Sequence, residues 1–268
     1  MAVVEFEVKD YVARLTINQP KARNAMSPEV MVRLHDAWQE VRDSDSIRVA
    51  VLTGTGDKAF CSGADLALTA PLVTGARKIE DEWDERLLQI LGSDEGLFLI
   101  NRDTVKPVIA AINGHAIAGG MELVFGCDIR VTVPDAKFGL QEVKWGLFPA
   151  GASTVRLPRQ IPQAIAMELL LTGDLITAQR AHALGFVNHV VDASDLLLAA
   201  LAIARKIADN GPLAVRAIRH SARDCAGQTE VRALEIEAEL AKSVVASEDA
   251  REGPRAFMEK RKPVFRGR

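Results

Sequence analysis

The chain has 268 residues, a net charge of −3, 48% hydrophobic residues and 26% charged ones. That apolar share excludes a disordered chain, and the near-neutral balance argues against a nucleic-acid footprint spread over the surface. The longest clean apolar stretch, LLLAALAIA at 196–204, is far short of the roughly 18 residues a membrane-spanning helix needs.

The amino terminus, MAVVEFEVKDYVARLTIN, alternates like a strand and carries Glu5, Glu7 and Asp10. It has neither a signal-peptide core nor an Arg-rich, acid-poor transit pattern. Two short strands are predicted around Lys9-Asp10. Ser27-Pro28-Glu29 is a helix start, with Ser as N-cap, Pro at the first helical position and an acid in the first turn. Met31, Leu34, Trp38 and Val41 recur at helical spacing, so a helix is predicted over 28–43. IRVAVLTG (47–54), TVKPVIAAING and CDIRVTV read as buried strands, and strands alternating with helices predict an α/β domain. Segment 67–103 is polar, charged and Gly-interrupted, the texture of a variable loop or lid with room for one helix. From about residue 160 only helices are expected, apart from FVNHVV at 186–191, with ends marked by Gly173, Gly185 and Asn210-Gly211-Pro212.

Three segments concentrate residues suited to chemistry. GDKAFCSGADL (56–66) is a strand running into a small-residue turn. NGHAIAGGMELVFGCD places a single carboxylate, Glu122, among small and apolar neighbours. KFGLQEVKWGLFPAGAS (137–153) holds a second isolated acid, Glu142, twenty residues later. Cys61, Cys127 and Cys225 are odd in number and widely spaced. They support neither a disulfide scaffold nor a metal site and fit a reducing cytoplasm. His115 reads as a loop histidine satisfied by backbone, and Cys61 as a small packing residue. GTGDKA is an incomplete dinucleotide fingerprint, and GHAIAGGM lacks the Lys-Ser/Thr of a P-loop.

In order and at this length, these segments resemble the diagnostic motifs of the crotonase superfamily, specifically the enoyl-CoA hydratase family. The likeness runs from RLTINQPKARNAMS to GPRAFMEKRKPVF. It implies the crotonase (ClpP/crotonase-like) α/β spiral of ββα turns over residues 1–200, followed by a helical trimerisation region over 201–268. The implied partner is an acyl-CoA substrate, whose CoA is not a separate cofactor, and the implied assembly is a trimer or a dimer of trimers. By motif position, the backbone N–H groups of Ala64 and Gly119 would hold the thioester oxygen. Such donors stabilise the charge that collects there when water adds to the double bond. Glu122 would hold and activate the water, and Glu142 would exchange the α-carbon proton, a division of labour that facing carboxyls favour.

The same resemblance carries Arg23, Ala25, Ser62, Asp65, Leu66 and Gly120 over as CoA or substrate contacts. Phe257 and Lys260 would reach the nucleotide, often from a neighbouring subunit. Trp83, Leu87, Leu88 and Trp145 are the candidates to line the acyl pocket, and the 137–162 stretch looks like relatives that handle bulky, even steroid-derived, acyl chains. Isomerases of the family often manage with one glutamate, so the full pair favours a hydratase. An isomerase, another acyl-CoA dehydratase and a non-catalytic acyl-CoA-binding or scaffold protein stay open as alternatives.

Overall fold

The computed structural model describes residues 2–93, 96–97 and 103–268. β1 (Val4–Lys9) and β2 (Val12–Ile17) form the predicted hairpin, in register from Val4 opposite Ile17 to Lys9 opposite Val12. Its two turn residues, Asp10 and Tyr11, both have positive φ (49° and 66°), the twist-matched geometry of a tight hairpin. A 3-10 turn, Pro20–Ala22, leads to α1 (Pro28–Asp43), which has the expected limits; the Ser27 side chain accepts a hydrogen bond from Val30 N. Then come β3 (Val49–Gly54), β4 (Ala59–Cys61), α2 (Thr69–Val73) and α3 (Glu82–Gly92). The expected loop or lid therefore contains two helices, with residues 94–95 and 98–102 outside the described part.

β5 (Val108–Ile112), β6 (His115–Ile117), α4 (Gly119–Phe125), β7 (Ile129–Thr132) and β8 (Lys137–Gly139) follow. A 3-10 turn, Glu142–Trp145, precedes α5 (Ser153–Gln160) and α6 (Gln163–Thr172). The carboxyl-terminal part comprises β9 (Ile176–Thr177), α7 (Ala178–Ala183), β10 (His189–Val190), α8 (Leu196–Ala208), α9 (Pro212–Asp224), α10 (Glu230–Val245) and α11 (Glu248–Met258). β9 was not expected in a region that reads as helix.

Two sheets share these strands. The larger runs β1-β2-β3-β5-β7-β10, parallel from β2 onward, and the smaller runs β4-β6-β8-β9. Three successive turns of chain, β3–β4, β5–β6 and β7–β8, each give one strand to the large sheet and the next to the small one. That is the expected spiral. β3 and β5 are continuous apolar runs, nearly all buried, as parallel strands covered on both faces must be. α8 lies across β2, β3, β5 and β7. It does so on a fully buried Ala200, Ala204 and Ala208 stripe at four-residue spacing, whose small side chains let the helix sit close to the sheet. The boundary expected at residue 200 thus falls inside a helix whose buried face joins the main core.

Beyond α8, Arg219 of α9 is buried and ties the helical region to the core. It bonds Asp128 Oδ2 at 2.8 Å and Asp103 Oδ1 at 2.7 Å, while Asp128 Oδ2 also accepts from Val108 N at the start of β5.

Candidate active site

β4, β6 and β8 are adjacent and parallel, so the three segments singled out in the sequence leave the same edge of the small sheet. This is where ligands collect in parallel sheets, outside the strands' carboxyl ends. After β4 the chain turns through Gly63, whose φ is +94°. Ala64 pairs with Met26 in an isolated parallel bridge. Its bonds run from Met26 N to Gly63 O (2.8 Å) and from Asp65 N to Met26 O (3.0 Å). In that pattern the N–H of Ala64 itself points away from Met26.

After β6, Ala118 takes φ 52° and ψ −126°, and α4 begins. This is strained backbone for a residue with a Cβ. Gly119, as the first helical residue, has an N–H without an intrahelical acceptor. A Cβ on Gly119 would lie 2.6 Å from Met26 Cε and 3.6 Å from Ala64 N; one on Gly63 would lie 3.1 Å from Gly119 N. The two amides expected to hold a carbonyl oxygen are therefore side by side, and the glycines are what allow it. Gly120 has a different reason to be glycine. A Cβ there would collide with the carbonyl of Cys61, so it serves the close packing of α4 on β4.

Glu122 lies one turn into α4 and is only 7% exposed. Its Oε1 accepts two hydrogen bonds, from Gly151 N at 2.7 Å and from Ser153 Oγ at 2.8 Å. A Cβ on Gly151 would overlap the Glu122 carboxylate, so the chain passes directly against it. Burial raises the pKa of Glu122 above the usual carboxylate value, against the opposing pull of the Ser153 hydroxyl, the Gly151 amide and the Arg156 charge. Glu142, half-buried after β8, differs. Its Oε2 is buried with no hydrogen-bond partner among the described residues. Burial, with the charge of Glu122 adding to it, pushes its pKa up to about 7. The two acids are thus near enough to feel each other. Donors on Glu122 favour its ionised form against the effect of burial, while Glu142, without such donors, is inclined to keep its proton close to neutrality.

The loop expected to contact CoA joins the same edge. Ser62 N donates to Arg23 O at 3.2 Å, linking the turn after β4 to Arg23, which is exposed with φ 52°, and to buried Ala25. Leu66 is exposed beside them. The Asp65 carboxylate accepts from Ala67 N (2.8 Å) and Leu68 N (3.0 Å), so it shapes the turn into α2.

One expectation needs correction. Leu87 is fully buried in the main core between α3 and α1, because α3 packs its apolar face inward; it does not line an open pocket. Trp83 stacks under Arg33 at 4.7 Å and Leu88 packs on the core, while Trp145, 73% exposed, stands in the turn that carries Glu142. Phe257 and Lys260 stand exposed at the end of α11, and α11 packs against α10.

Sequence reasoning missed Asn24, Gly151 and Ser153. Asn24 is fully buried at φ 55° and pins the PKARNA loop: its Oδ1 accepts from Gln19 N and its Nδ2 donates to Thr55 O and Ala59 O. An Asn inside PKARNA was a readable signal for left-handed backbone. Ser153 had none, since its partner is 31 residues away. Burial pushes the thiols of Cys61 and Cys127 up to about 12, which agrees with Cys61 as packing. Burial and the charges of Lys137 and Arg23 push His115 down.

The model of the enoyl-CoA hydratase/isomerase family matches residues 7–268. The enoyl-CoA hydratase EchA19 of Mycobacterium tuberculosis is 44% identical over 95% of this chain and 92% of its own. The (E)-benzylidenesuccinyl-CoA hydratase of Thauera aromatica is 39% identical over 98% and 99%. A crystal structure of an enoyl-CoA hydratase from Mycobacterium tuberculosis superposes with a TM-score of 0.90 at 38% identity, covering both chains in full. With two sheets fed by one spiral and three motif segments on one sheet edge, the chain belongs to the enoyl-CoA hydratase/isomerase family and has the crotonase fold.

Proposed function

We propose that the protein adds water across the 2,3 double bond of a 2-enoyl-CoA thioester to give a 3-hydroxyacyl-CoA. The observation that carries this reading is the unequal provision for two neighbouring carboxyls beside the Ala64 and Gly119 amides. Glu122 has two donors, and Glu142 has a buried oxygen with none among the described residues. In the reaction, Glu122 takes a proton from water as the water oxygen bonds to C3. Electron density moves to the thioester oxygen, where the two amides stabilise it; losing one such donor typically costs about 10²–10³ in rate. Glu142 then gives its proton to C2. The pair ends with its proton on the other acid, and its total charge is unchanged. No electron acceptor enters, and coenzyme A belongs to the substrate.

Trp145 and its neighbours Val143, Leu147 and Phe148 form an exposed apolar rim beside Glu142, which supports acyl groups larger than crotonyl. The exposed apolar side chains of α9 and α10 support a homotrimer or a dimer of trimers. The free, widely spaced cysteines support the cytoplasm as its location. No helix among the described residues is long and apolar enough to cross a membrane.

Crotonyl-CoA hydration, followed by loss of enoyl absorbance, tests the proposal. Glu122→Gln and Glu142→Gln should each lower kcat by about 10²–10⁴. Wild-type turnover no faster than these variants would remove the hydratase assignment. The same assay across acyl-CoAs of increasing bulk reads the apolar rim.

A further inference from the structure

Burial alone ranks the two glutamates in the wrong order for this chemistry. Glu122 is the more enclosed of the pair, and enclosure favours the neutral form of an acid. On that ground the shared proton belongs on Glu122, leaving no base to take a proton from water. Two donors oppose this, and both bond the same oxygen, Glu122 Oε1. A donor to a carboxylate favours its ionised form. Gly151 contributes its main-chain N–H, which side-chain substitutions other than proline leave in place. Ser153 contributes a side chain, fully buried at the start of α5, whose hydroxyl donates to Glu122.

The position of Ser153 is fixed from both sides. Ala152 before it has left-handed backbone at φ 67°, which turns the chain from the Gly151 amide into the helix. At the far end of α5, Gln160 Nε2 donates to Phe125 O of α4 at 3.2 Å and Gln160 Oε1 accepts from Arg130 at 2.9 Å. Leu157, between them, is fully buried. α5 is thus clamped along α4, with the Ser153 hydroxyl presented to Glu122 at one end.

We propose that Ser153 is a positioning residue that keeps Glu122 ionised and so leaves the pair's proton on Glu142. This rests on the hydration reading for its purpose, but the decisive measurement does not need turnover. The test is an infrared difference titration of the protonated carboxyl bands, with Glu122→Gln and Glu142→Gln assigning each band. In Ser153→Ala the Glu122 midpoint should rise by roughly one unit and that of Glu142 should fall. Ser153→Thr, which keeps the hydroxyl, should restore both. Ser153→Gly removes the hydroxyl with less bulk and answers the same question should the alanine variant misfold. With crotonyl-CoA, Ser153→Ala should lose about tenfold in kcat near neutral pH while KM stays within about twofold. A Glu122 midpoint within about 0.2 unit of wild type in the folded hydroxyl-free variants overturns the proposal. Absence of hydration by the wild type would remove the reaction and leave the titration result standing.

Discussion

Glu142 is the residue whose environment has the sharpest consequence. Burial, which leaves one of its oxygens without a partner among the described residues, and the nearby charge of Glu122 push its pKa up to about 7. In free protein, which kcat/KM reports, hydration starts with the proton on Glu142 and dehydration with it on Glu122. Both directions therefore need one proton on the pair, and the limbs of the profile belong to the pair as a whole. The expected outcome is a descending limb near pH 7 that is shared by hydration and dehydration, and its disappearance from the residual activity of Glu142→Gln. Equal profiles with no limb between about pH 6 and about 9 would contradict the assignment. Stability carries the same signature. The folded pKa lies above the unfolded value, so the unfolded chain releases this proton first as pH rises, and stability is lost between 4.5 and about 7. Chemical denaturation of Glu142→Gln should show that this part of the decline is gone.

The helix α4 and its strand neighbours show what the sequence made legible and what it did not. Long elements announced themselves: α1 by its cap and its 3.6-residue apolar spacing, β3 and β5 by continuous apolar runs. Of the strands that assemble the site only β4 was read as one, ahead of its small-residue turn, because β4, β6 and β8 are three residues each, too short for any period to register. Their segments were readable only as motifs, and the contacts that tune Glu122 come from residues 29 and 31 positions away. Leu87 was misread because an apolar residue in a polar segment looks the same whether a helix turns it inward or toward a ligand. Gly120 tests the packing at this scale. Its Cβ would collide with the carbonyl of Cys61, backbone that cannot step aside. Gly120→Ala should cost about 2 kcal/mol or more, lowering Tm by roughly 5 °C. Gly92→Ala, with open space around the added methyl at the end of α3, should be neutral or slightly stabilising. Thermal melts of the two variants make the comparison, and equal shifts would rule out close helix–strand contact as the reason for Gly120.

Across the whole molecule, the carboxyl-terminal helices present more apolar surface than one chain can use. α10 has no buried residue although it carries Val231, Leu234 and Val245, all exposed, and Ile218 of α9 and Met258 of α11 are exposed as well. Contiguous apolar surface of this kind marks an interface between proteins. α9 and α10 line an open groove of about 580 Å³ with Ala214, Ala217, Ile218, Leu240, Ala241 and Val244. Phe257, 82% exposed, and Lys260 lie at the end of the same helical region. If these surfaces meet in the proposed trimer, assembly and the CoA site are coupled, since a neighbour then supplies Phe257 and Lys260. Ile218→Glu would bury an unpaired charge at such a contact, which is expensive, while costing an isolated chain almost nothing at so exposed a position. Sedimentation of Ile218→Glu should show smaller species with a cooperative melt, and crotonyl-CoA should bind with a raised KM. Lys260→Ala should raise KM without changing the assembly. A variant that sediments as wild type would show that α9 is not at the interface. A dissociated variant with unchanged KM would show that each cleft is complete within its own chain.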